Sequence, residues 1–92
     1  MIASVVKEMA LTRAEFLRLL PGAAGGLPVH EDGGVVWVGD AVEIVAEPLP
    51  PRRLGLFEIP VMRVTLRFHG CGEEDAWAFV RRFDRAFQKG GG

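Results

Sequence analysis

The sequence predicts a small two-layer α+β domain, an antiparallel meander of three or four strands with one helix before it and one after it, both helices on one sheet face. Three observations lead there. Met62, Val64, Leu66 and Phe68 alternate with Arg63, Thr65, Arg67 and His69, the period of two that marks a strand with one face buried. Thr12 and Glu15 have the spacing of a capping box, and Leu11 and Phe16 that of a hydrophobic staple across it. At about 100° per residue, Ala76, Phe79, Val80, Phe83, Ala86 and Phe87 fall within one arc of about 120°, the stripe of a helix laid on a sheet.

In chain order, residues 1–10 carry Ile2, Val5, Val6 and Met9 at helical spacing but no cap, and are expected to be a flexible or weakly docked extension. The single domain is expected over residues 11–89. Its first helix starts at Thr12 and should stop at Pro21-Gly22, with 23–26 as a flexible joint. Residues 28–30 fit a brief edge strand with Glu31-Asp32-Gly33-Gly34 as its turn. Gly39-Asp40 then reads as a two-residue primed turn, glycine first, pairing Val38 with Ala41 and Trp37 with Val42. That register puts Val35, Trp37, Val42, Ile44 and Ala46 on one face, and Val36, Glu43, Val45 and Glu47 on a polar one. Residues 48–58, with their prolines and arginines, read as a connection to the long strand. The last helix opens with Glu73, Glu74 and Asp75, carries Arg81, Arg82, Arg85 and Lys89 later, as the helix dipole favours, and should end at the glycine tail 90–92.

Ninety-two residues leave no room for a second core, and a net charge of −1 removes a simple electrostatic case for nucleic acid or an anionic membrane. The single cysteine, Cys71, has no internal disulfide partner, which makes a reducing cytoplasm the default compartment. The first residues lack the basic-then-apolar order of a secretory leader, and no run approaches the ~18 apolar residues of a membrane span. The helix–strands–helix order resembles that of the double-stranded RNA-binding domain. That family grips phosphates with lysines at the start of its second helix. Here the matching turn is Glu73-Glu74-Asp75, which repels phosphate, so the resemblance is one of element order and argues for no nucleic-acid partner.

Several residues could carry chemistry. His69-Gly70-Cys71 lies just ahead of a helix N-terminus, where a thiol is activated, but three acidic residues open that helix and oppose it. His30, Glu31, Asp32, His69 and Cys71 are possible metal ligands, yet their spacing matches no structural zinc pattern, and no metal or other cofactor is expected. Pro48 to Arg53 fits the proline–x–x–proline–x–arginine pattern of polyproline ligands, and equally a stiff crossover. The Gly90 to Gly92 ending is similar to the Gly-Gly tails of sulfur carriers and ubiquitin-like proteins, which reach their tail from a strand and not from a helix. Leu54, Leu56 and Phe57 are more apolar than a solvated loop needs, and Trp77, one turn from Arg81, lies off the apolar stripe. The expectation is a non-enzymatic binding or accessory domain, acting through Leu54, Leu56, Phe57, Trp77 and Arg81 as a homodimer or with a protein partner. The competing expectation is a thiol or sulfur-transfer accessory using Cys71 with His69, or the Gly92 carboxylate.

Overall fold

A computed structural model describes residues 4–90, with side chains through Gln88. The elements are β1 (Ser4–Met9), α1 (Arg13–Ala23), β2 (Val29–Asp32), β3 (Val35–Val38), β4 (Val42–Leu54), β5 (Phe57–Phe68) and α2 (Glu73–Gly90). The five strands form one sheet in the order β1-β5-β4-β3-β2, with every neighbouring pair antiparallel. Helix α1 carries the chain from one sheet edge to the other, and the meander β2 to β5 returns it. This is the expected α+β architecture with one strand more than the three or four the sequence suggests.

The added strand is β1. Residues 4–9 are not a loose extension: they pair with β5 from Ser4 opposite Arg67 to Met9 opposite Met62. Val5, Lys7 and Met9 are the members on the core face, and Lys7 reaches over the sheet edge to Asp84 of α2 at 2.8 Å. A second correction concerns the β3–β4 register. Val38 pairs with Val42, Trp37 with Glu43 and Val36 with Ile44, so the connection holds three residues, 39–41, rather than two. That one-residue slip exchanges the faces of β3. Val36 and Val38 are buried, while Val35 and Trp37 turn outward. The backbone fixes the slip at both ends: Gly39 N–H donates to the Pro28 carbonyl and His69 N–H to the Ala41 carbonyl. Two smaller corrections are local. Pro21 does not stop α1 but lies in its last turn, and the chain leaves at Gly25 with φ +64°, a left-handed residue that ends the helix. Residues 48–58 are not a long connection: 48–54 belong to β4 and 57–58 to β5, with only Gly55 and Leu56 between them.

The capping box and staple form as expected. Glu15 N–H donates to Thr12 Oγ1 at 3.2 Å and Thr12 N–H donates to Glu15 Oε1 at 3.0 Å. Leu11 and Phe16 are both buried. The α2 stripe also lands where periodicity puts it, with Ala76, Phe79, Val80, Phe83 and Phe87 buried. The helices join through rings: Phe16 stacks on Phe87 at 5.2 Å between centroids and lies 6.2 Å from Phe83. Both helices thus cover the face that carries Val36, Val38, Val42, Ile44, Met62, Val64 and Leu66. Among the described residues, no element covers the opposite sheet face.

Three outcomes follow. Phe83→Ala opens a cavity where α1, α2 and the sheet meet and is expected to destabilise by about 3–5 kcal/mol in urea denaturation. Thr12→Ala removes the cap and is expected to lose about 1 kcal/mol, or roughly 4–8 °C in Tm. The Glu15 carboxyl is held below its ordinary value by the backbone and then the side-chain hydrogen bond from Thr12. A lowered folded pKa adds stability above the ordinary carboxylate range, which fades as pH falls through the lowered value. The Tm gap between wild type and Glu15→Ala should therefore be full near neutral pH and close in strong acid.

Candidate functional site

Strands β4 and β5 outrun their neighbours. Strand β3 flanks β4 only as far as Ile44, and β1 flanks β5 only from Met62 onward. Beyond these points the two strands continue alone as a two-stranded arm that ends where Leu54 pairs with Phe57. Gly55, at φ +60°, and Leu56 make the two-residue, glycine-first loop. This is the hairpin turn chemistry sought at Gly39-Asp40, found sixteen residues further along the chain (55 against 39).

Four prolines shape the arm. The pairing steps from Leu49–Val61 to Arg52–Ile59, so Pro50 and Pro51 on β4 oppose the single Pro60 on β5. This is a β-bulge, which bends a ribbon and sharpens its twist. Pro48 acts differently. Since Ala41 gives its carbonyl to His69 of the chain running from β5, the even-numbered residues of β4 ahead of the bulge turn their amides toward β3 and, past Ile44, toward the open edge. Pro48 sits on that edge with no N–H to offer an added strand. The proline–x–x–proline–x–arginine segment is thus engaged in a ladder with residues 58–62 and is not a free polyproline helix.

The tip is apolar and uncovered. Leu56 is fully exposed, Phe57 is 76% exposed and Leu54 56%. By alternation Leu54, Phe57 and Ile59 share one face, while Leu56 stands at the apex. Arg53 and Glu58 lie on the reverse face in a loose pair, with N···O 3.7 Å. At the root of the arm, beside the start of α1, is a hollow of about 460 Å³ lined by Leu11, Ala46, Pro48, Leu49, Pro51, Pro60, Val61 and Met62, with Thr12, Arg13 and Glu58 also on its wall. Leu49 and Val61 belong by alternation to the face opposite Pro48 and Met62, and all four line this hollow beside the bulge.

The predicted surface residues divide between two ends of the molecule. Leu54, Leu56 and Phe57 gather at the arm tip. Trp77 and Arg81 lie together near the start of α2, past the far end of β5, along a shallow depression with Glu73, Glu74 and Asp75. The cation–π contact of this helix is made by Arg82, 5.7 Å over the Phe79 ring. The hollow at the arm root was not legible as a site, because its lining comes from three elements that only the register brings together.

His69 and Cys71 part company. His69 Nε2 lies 2.7 Å from Glu43 Oε1, and its ring lies 5.5 Å from that of Trp37 on the uncovered sheet face. Cys71 is half-buried on the helix side, lining a pocket with Leu27, Ala41, Val42, Phe68 and Phe79. The Gly92 carboxylate lies outside the described residues. His30 is exposed on β2 opposite Trp37, and Glu31 is engaged by Arg13 at 2.6 Å. Among the described residues no three His, Cys, Asp or Glu side chains gather within reach of one ion, and no helix is long and apolar enough to cross a membrane.

Half-burial on the helix side, away from His69, sets the expected thiol chemistry. Iodoacetamide should alkylate Cys71 no faster than it alkylates an unfolded control peptide, and faster labelling would mark an activated thiol. Comparison with known proteins finds no match for this chain among protein-family models, curated proteins or solved structures.

Proposed function

We propose that this domain works by binding another polypeptide through the β4–β5 arm. One observation carries the reading: an apolar tip built from Leu54, Leu56 and Phe57 stands in water at the end of a bulged, proline-stiffened ribbon. Burying a Leu or Phe side chain is worth about 1.5–3 kcal/mol relative to leaving it exposed. Folding of the single chain recovers little of this at the tip, and a partner that covers it recovers most. The arm is also poorly suited to serve as a strand template, because Pro48, Pro50, Pro51 and Pro60 remove amide donors along it. Recognition is therefore by side chains from the tip and face.

The test is photo-crosslinking in cells. A benzophenone side chain at position 57 is expected to capture a polypeptide, and the same group at position 32, on the far β2 edge, is expected not to. Phe57→Ser and Leu54→Ser should keep the wild-type circular dichroism and a Tm within about 2–4 °C, since surface changes of this kind stay within about ±0.5 kcal/mol. Absence of a polypeptide adduct at position 57, or flotation of the protein with anionic vesicles that is lost in Phe57→Ser, would overturn the reading.

A further inference from the structure

We infer that the partner of the arm is a second copy of this chain, with Leu56 of each arm seated in the root hollow of the other. The inference rests on the arm being the binding surface and adds the identity of what covers it. Tip and hollow are a knob and a hole on one molecule. The knob is a fully exposed leucine at the apex of a two-residue loop. The hollow, at about 460 Å³, is large enough for a leucine side chain, and its lining is mainly apolar.

The spacing suits a twofold arrangement. From the Leu49–Val61 pair to the tip is five or six residues, or about 15–20 Å at roughly 3.3 Å per residue. Two arms laid antiparallel with that overlap bring each tip to the other's root at the same time. Such a pair is isologous and closes on itself, filling both knobs and both holes. A head-to-tail arrangement leaves one knob and one hole unfilled at its ends and continues without limit. Pro48 on the open β4 edge disfavours the alternative of joining two copies by strand pairing, so the contact is made by seating of side chains.

The area sets the expected strength. A standard interface uses about 20–30 residues a side. The arm, residues 48–61, and residues 11–13 at the start of α1 make 17, just under that range, so a weak, reversible dimer is expected.

Sedimentation velocity of the whole chain over a concentration series should show a monomer–dimer equilibrium, weakened at least tenfold by Leu56→Asp, whose site is fully solvated in the monomer and leaves the fold intact. A second measurement locates the contact. In a Cys71→Ser background, chains carrying Leu56→Cys are mixed with chains carrying Pro48→Cys and oxidised. Within one chain these positions lie roughly 20 Å apart along the ribbon, beyond disulfide reach. The mixed disulfide dimer should form at least tenfold faster than either homodimer. A monomer at all concentrations, a dimer insensitive to Leu56→Asp, or no preference for the mixed disulfide would overturn the inference. If position 57 still captures a different polypeptide in cells, the arm remains the binding surface and only its pairing with a second copy fails. If it captures none, both readings fail.

Discussion

Three phenylalanine rings hold the two helices together as one layer. Phe16 is the only ring α1 brings to the core, and it is wedged against Phe83 and Phe87 of α2, which themselves lie 4.5 Å apart. This contact obliges both helices to lie on the same sheet face. Once they do, the apolar sides of β3, β4 and β5 are covered together, and no element among the described residues lies over the other side. A chain of this size buries only about 60–65% of its unfolded surface, so it has one such layer and no reserve. The bare sheet face and the bare arm are two consequences of the same limit.

What the sequence made legible follows from how strongly each element carries its own period. The α2 stripe was readable because polar residues separate its apolar ones, and the capping box because both of its partners sit within four positions. Strand β1 was not, since its core-facing members are Val5, Lys7 and Met9. A lysine on the inner face erases the alternation, and its justification, Asp84, is on the last helix. The β3 register was equally hidden. Val35, Val36, Trp37 and Val38 are apolar on both faces, so the run has no phase of its own, and the phase is set by two backbone bonds, Gly39 N–H to the Pro28 carbonyl and His69 N–H to the Ala41 carbonyl.

The arm was misread for a different reason. Prolines are depleted in strands, and four of them within residues 48–60 outweigh the flanking apolar residues in any local reading. In the structure they occupy a bulge and an open edge, the places a sheet tolerates them. The apolar tip residues were singled out correctly as a cluster, because three large side chains around one glycine are hard to reconcile with a solvated loop. Their grouping with Trp77 and Arg81 required knowing that β5 runs the length of the molecule and separates the two sets.

Strand β1 also bears on the order in which the protein can assemble during synthesis. Its partner residues in β5 lie about sixty positions further along the chain. Strand β1 leaves the ribosome before β5 and therefore waits for it, while β2 to β5 can zip as successive hairpins with short loops. Until that closing step, the edge of β5 that receives β1 stays open, with Val64 and Leu66 beside it. The window between making β5 and docking β1 is the interval in which chains are most prone to pair with one another in the wrong way.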